Sequence, residues 1–283
     1  MGNKRKRLSL TTAWVVATLA TAVLTVGGTA QPAGAGQQYE IDVANKELLF
    51  LADENVDDND DDLPFTYLDL LPELDGCLQA VVDVSNKTAV TVEDVDDEIK
   101  NGVTTPGIFL EIDASPKVEP VATTAEVRFG VVFQYDSDCN GPTGPVPARL
   151  LNLCIHTIDI DDYQFFGAVN PTSYRLTADT VLTASSSGGV AIARETEGVQ
   201  SDDPTEQQYW AEFIFNSTNS VTFLAGIDVG GGDSASFDVR FGCASWTSPT
   251  VTRPAVEYSA PDIDLDHYLN RAAEAEESLP NTK

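Results

Sequence analysis

The densest run of side chains able to do chemistry lies between residues 136 and 170. Asp159, Asp161 and Asp162 close an apolar stretch, LLNLCIHTIDIDD, while Asp136 and Asp138 stand in the loop before it, DSDCNG. On a strand of period two, Asp159 and Asp161 share one side, and Asp162 swings toward them at the turn. Carboxylates crowded in this way repel one another. Ca2+, a hard cation that takes about six to eight oxygens, relieves the repulsion. The five aspartates are therefore the predicted metal site, with Asn170 after the turn as a further oxygen donor. The competing expectation is that Asp159 and Asp161 cap turns by accepting backbone N–H groups.

Other chemistry is sparse. His156 falls in the interior of the same apolar run, where a hydrogen-bonded core histidine is expected. Nucleophile-elbow, zinc-protease and P-loop motifs are absent, and Gly230–Gly232 is followed by no GK[ST]. No catalytic residue is assigned. The enzymatic alternative is an extracellular glycan hydrolase with an acid pair drawn from Asp159, Asp161 and Glu212. Tyr163, Phe165, Tyr209 and Trp210 would line its groove, or pack in the core. Asp58-x-Asp60-x-Asp62 begins like a calcium loop, but Leu63 stands where an EF-hand needs Gly and Asp69 where it needs Glu. Pro64 follows at once, so an EF-hand is excluded and a solvated acidic linker expected.

The elements that must position these groups read as strands. Leu150–Ile160 is apolar on both faces, with Leu151, Leu153 and Ile155 on one and Cys154, His156, Ile158 and Ile160 on the other. That predicts a strand in the middle of a sheet. AEVRFGVVFQY (125–135) alternates, with Val127, Phe129, Val131 and Phe133 facing one way. Further strand signals are LQAVVDV (78–84), residues 88–92, GIFLEI (107–112), YRLTADTVLTA (174–184), residues 189–193, YWAEFIF (209–215), SVTFLAGID (220–228) and ASFDVRF (235–241). Turn signals separate them about every ten residues. The expectation is an all-β, antiparallel β-sandwich with a short peripheral C-terminal helix over 262–278. The expected domains are 1–35 signal peptide, 36–62 acidic N-terminal segment, 63–250 sandwich and 251–283 tail.

Composition sets the compartment. Lys4–Arg7, the apolar run Leu8–Val26 and Ala33-Gly34-Ala35 have the layout of a cleaved export signal. About 248 residues then remain, with 12 Lys and Arg against 45 Asp and Glu, a net charge of about −33. Such a surface excludes nucleic acid and anionic membranes as partners. No membrane insertion is expected after cleavage. Four cysteines in an exported chain, Cys77, Cys139, Cys154 and Cys243, imply two disulfides in one of three pairings. Leu279-Pro280-Asn281-Thr282 matches the start of a sortase signal, but Lys283 replaces its Gly, and no working anchor is expected.

The order AEVRFGVVFQY, Pro-rich loop, LLNLCIHTIDIDD, YRLTADTVLTAS resembles a poorly characterised class of exported β-sandwich modules in bacteria and some marine eukaryotes. In them a strand pair is followed by an Asp-x-Asp strand end. The resemblance covers residues 63–246. It implies an extracellular or surface binding role, and no catalytic residue carries over.

The expected function is thus a secreted or cell-surface, non-enzymatic binding or adhesion module, stabilised by Ca2+, with an extracellular ligand such as a glycan or a surface protein. A purely structural envelope protein is the remaining alternative.

Overall fold

A computed structural model describes residues 38–50, 64–96, 99–100, 103–104, 106–139, 142, 144–201, 203 and 205–255. The leader, the Asp58–Asp62 run, the expected C-terminal helix and the LPNT end lie outside the described residues.

The strands in chain order are β1 (Tyr39–Asp42), β2 (Glu47–Leu48), β3 (Phe65–Tyr67), β4 (Cys77–Thr88), β5 (Val90–Asp96), β6 (Ile99–Lys100), β7 (Val103–Thr104), β8 (Ile108–Ala114), β9 (Ala125–Asp136) and β10 (Val146–Ile158). They continue with β11 (Gln164–Val169), β12 (Ser173–Thr177), β13 (Thr183–Ser187), β14 (Val190–Arg194), β15 (Ala211–Thr218), β16 (Ser220–Ile227), β17 (Ser234–Gly242) and β18 (Thr250–Pro254). The helical element among the described residues is one 3₁₀ turn, Gln207–Tyr209.

The expected all-β architecture is present, and its pairing is antiparallel apart from β1, which runs parallel to β10. One layer runs β13-β14-β11-β16-β9-β4-β3. The other runs β18-β12-β15-β10-β17-β8-β5. Val146 and Pro147 at the start of β10 also pair with β9, which joins the layers into one curled sheet. β1, β2 and β18 add pairing outside the 63–250 range expected from sequence.

Period-two burial builds the core. In β9, Ala125, Val127, Phe129, Val131, Phe133 and Tyr135 are buried while the residues between them are less so. Aromatic rings bridge the layers: Phe166 meets Phe213 at 5.9 Å between centroids, and Phe241 meets Phe223 at 6.2 Å and Phe133 at 6.4 Å. Each such pair stabilises by about 0.5–1.5 kcal/mol beyond its buried area.

β10 holds the expected central place, between β15 on one side and β1 then β17 on the other. Its face assignment needs one correction. Asn152 takes a left-handed φ of 58°, and the alternation changes phase there. Ala148 and Leu150 are buried before it and Leu153 and Ile155 after it, leaving Leu151 half-buried. The second face of β10 is buried as well, because the segment after β17 crosses over it. Cys243 forms a disulfide with Cys154, and the Ala244 amide donates to Glu212 Oε1 at 2.6 Å. Gln207 Oε1 accepts from the amides of Thr247 (3.0 Å) and Ser248 (2.9 Å). The other disulfide joins Cys77 to Cys139 and closes the β9–β10 loop onto β4.

Candidate functional site

Residues 159–163 carry the chain from β10 in one layer to β11 in the other. Three of them, Asp159, Asp162 and Tyr163, have φ of 70°, 40° and 62°. Left-handed backbone costs any residue with a Cβ, so the surroundings must hold it. Glu195, 1% exposed, does much of this. Its Oε2 accepts the Tyr163 amide at 3.0 Å and the Gly198 amide at 2.8 Å, and its Oε1 accepts the Glu197 amide at 2.6 Å. Asp162 N–H donates to Val199 O, and Ile160, fully buried, donates to Tyr209 O.

Asp161 is the acid at the heart of this turn. It is 8% exposed, its Oδ1 accepts Gln164 Nε2 at 3.1 Å, and its Oδ2 accepts the Ser201 amide at 2.9 Å. Burial pushes its pKa up to about 6; the Ser201 hydrogen bond opposes this, and the charges of Asp159, Asp162 and Glu195 reinforce it. Asp159 and Asp161 both line one cleft of about 350 Å³. They do so from the turn and not from a period-two strand, since β10 ends at Ile158. Gln164, Gln200 and Ser201 form part of its wall, and Ser234, Ala235 and Ser236 of β17 complete it. The lining is carboxylate, amide, hydroxyl and one methyl group.

The structure does not gather all five aspartates. Asp136 and Asp138 lie beyond the opposite end of β10, whose 13 residues cover about 40 Å at ~3.3 Å per residue. Asp136 is buried beside the Cys77–Cys139 disulfide and accepts the Asp138 amide at 3.1 Å, while Asp138 is exposed. Asn170 lies past the far end of β11 and lines a different groove. Asp159, Asp161 and Asp162 share the turn without converging on a point. Among the described residues, the one group of three His, Cys, Asp or Glu with ligand atoms mutually within 4.8 Å is Cys154, Glu212 and Cys243. Both cysteines there are in a disulfide.

Packing also decides two alternatives left open by the sequence. Glu212 is fully buried and does not line the cleft; it faces Arg175 across β12 and β15, with Oε2 at 3.0 Å from Arg175 Nη1. Burial raises its pKa, while the Ala244 amide and Arg175 favour the charged form. The four aromatics form no exposed platform. Phe165 and Tyr209 are buried, and Trp210 packs on Trp246 at 5.7 Å. The Tyr163 ring lies against Gly198, where a Cβ would stand 2.5 Å from it. His156 is the expected core histidine: buried, with Nδ1 at 2.8 Å from Gly242 O, and its pKa lowered by burial to about 4.

Sequence reasoning missed Glu195, Gln164, Ser201 and the β17 serines. Glu195 had a readable signal, an acid between a strand and a Gly-containing turn, where amides need an acceptor. The others reach the cleft only through register.

No protein-family model and no curated protein matches the chain. Among solved structures it is similar to the N-terminal domain of the Streptococcus gordonii adhesin Sgo0707, with 13% identity and a TM-score of 0.42. The match covers 62% of this chain and 45% of that one, so the chain spans less than half of the structure it matches. Such a likeness assigns neither a family nor a role.

Proposed function

We propose that the protein is a non-enzymatic binding module, secreted or held at a cell surface. Its ligand seat in this reading is the cleft at the end of β10, with Ca2+ as the ion its carboxylates hold. The observation that carries the reading is the composition of the cleft: two aspartates from one turn, with amides and serine hydroxyls completing it. Oxygen donors of this kind suit a hard cation or a hydroxyl-bearing ligand. Glycoside hydrolysis instead needs two carboxyls flanking the bond, about 5–10 Å apart. Asp159 and Asp161 rise from the same turn, and Glu212 is committed to Arg175, so the cleft favours binding over hydrolysis.

Thermal unfolding of residues 36–283, with Ca2+ and then with chelator, tests this. An ion at 100 times its Kd stabilises by about 2.7 kcal/mol, a shift of about 5–10 °C for a chain of this size. The expected shift disappears in Asp159→Asn with Asp161→Asn. No shift, or one reproduced by simple salt, removes Ca2+ from the function and leaves the two acids as anchors of the turn.

A further inference from the structure

A second groove, of about 300 Å³, lies at the other end of β11. Gln164, in the first cleft, begins that strand and Val169, in the second, ends it. The two seats are thus about 16 Å apart at ~3.3 Å per residue. The second is as large as the smaller ligand pockets, which run from roughly 300 Å³ upward.

Its chemistry differs sharply from that of the first. In a chain with 45 acids, no charged side chain lines it. Val169 and buried Phe215 supply apolar surface, and the rest of the lining is hydroxyl or amide. Several hydroxyls are already oriented. Thr172 Oγ1 accepts the Asn216 amide at 3.1 Å, and Ser217 Oγ accepts Arg149 Nε–H at 2.5 Å. A hydroxyl that accepts in this way still has its own O–H to donate. Arg149, the donor to Ser217, is itself paired with Glu40 at 3.3 Å. Ser220 and Thr222, at the start of β16, have side-chain hydroxyls with no hydrogen bond among the described residues, so each can both donate and accept.

We infer that this groove is a binding seat for a neutral saccharide. A sugar ring offers hydroxyls around its rim and C–H surface on its faces. Thr172, Ser217, Ser220 and Thr222 meet the hydroxyls, and Phe215 with Val169 meets the C–H surface. An anionic sugar finds no counter-charge in the groove and is repelled by the net charge of the chain. The inference deepens the binding-module reading by naming a ligand class, but it uses a different seat.

The test is amide-shift mapping of ¹⁵N-labelled residues 36–283, which contain every described strand. The probes are neutral methyl hexosides and methyl N-acetylhexosaminides. At least one glycoside is expected to move the amides of Val169, Asn170, Thr172 and 215–222 and to leave 159–164 and 199–201 unmoved. Thr222→Val, nearly isosteric and suited to a strand, weakens binding roughly three- to tenfold. Ser220→Trp, at an exposed position, fills the groove and abolishes binding. The spectra of the free variants report directly whether each is folded. The inference is overturned if no glycoside moves the groove amides, or if the response survives Ser220→Trp in a folded chain. Shifts confined to the Asp161 cleft also overturn it, while leaving the binding-module reading standing. Loss of the Ca2+ response with retained glycoside shifts has the opposite meaning.

Discussion

Two buried groups, Asp161 and His156, bias stability in opposite directions over the same pH window, and single substitutions should separate them. The folded-state pKa of Asp161 is raised to about 6 from 3.8. As pH rises from below 3.8, the unfolded chain releases this proton first. The folded state is then left holding a proton or a desolvated charge, so stability is present at low pH and lost on rising through about pH 6. The full loss is about 3 kcal/mol at 1.36 kcal/mol per unit. At 8% exposure, little of this is screened by solvent. For His156 the folded value is lowered to about 4 from 6.5. Below pH 6.5 the unfolded chain takes up a proton that the folded state refuses, so stability falls as pH falls, again by about 3 kcal/mol.

In the wild type these two terms oppose each other. The assay is urea unfolding of wild type, Asp161→Asn and His156→Gln at fixed salt from about pH 4 to about pH 7, analysed as the difference between wild type and variant at each pH. Subtraction removes the many other acids and any pH-independent cost of the substitution. Wild type minus Asp161→Asn should fall by about 2–3 kcal/mol over the window, and wild type minus His156→Gln should rise by about as much. A difference that stays flat for Asp161→Asn would falsify the view that the turn buries this carboxyl against its neighbours. Two differences of the same sign refute the linkage argument for both sites.

Three further outcomes follow from the packing. Arg175→Leu leaves Glu212 buried without its cation and should cost about 3 kcal/mol at neutral pH, the low end for a broken buried pair because Arg175 is part-exposed. Since burial raises the Glu212 pKa, that cost should shrink in acid, which denaturant midpoints at two pH values will show. Cys154→Ser with Cys243→Ser opens a closure of 89 residues and should cost about 4–5 kcal/mol by chain entropy, with a change in tryptophan emission as the Trp210–Trp246 contact loosens. Gly226→Ala drives a methyl group into Ala125 O and the Phe165 ring, and calorimetry should show a loss of at least about 1–3 kcal/mol.

The fold was legible where burial has a period. β9 is buried on its odd residues from 125 to 135, as its alternation requires, and the apolar double face of β10 correctly placed it mid-sheet. The signals failed where the chain breaks its own pattern. YRLTADTVLTA reads as one strand but is two, β12 and β13, because a turn occupies Ala178 and Asp179. QFFGAV gave no strand signal because Gly167 reads as a break. In the sheet, a Cβ there would stand 2.5 Å from Ala191 O, so the glycine permits close pairing with β14. β18 is exposed throughout, and a strand with no buried face leaves no hydrophobic period to read.

The candidate site divides along the same line. Strand period predicts that Asp159 and Asp161 share a side; both do line one cleft, but through the tight turn after β10, which ends at Ile158 with Asp159 already left-handed. What that cleft is made of follows from register, which no local pattern carries. β17 meets β10 with Asp238 opposite Ile158, and this pairing brings Ser234 and Ser236 to the turn. The same dependence explains why Asn170 and Asp136 were misplaced. Each is close in sequence to the turn or the strand that precedes it, yet a full strand lies between each of them and the cleft. In a sandwich, residues separated by one whole strand stand at opposite ends of the molecule, whereas residues one short turn apart stay together. A metal or ligand site is therefore predicted more reliably from acids within a single turn than from acids collected across neighbouring loops. Asp159, Asp161 and Asp162 are the part of the five-aspartate set that meets this condition, and the first two of them line the cleft.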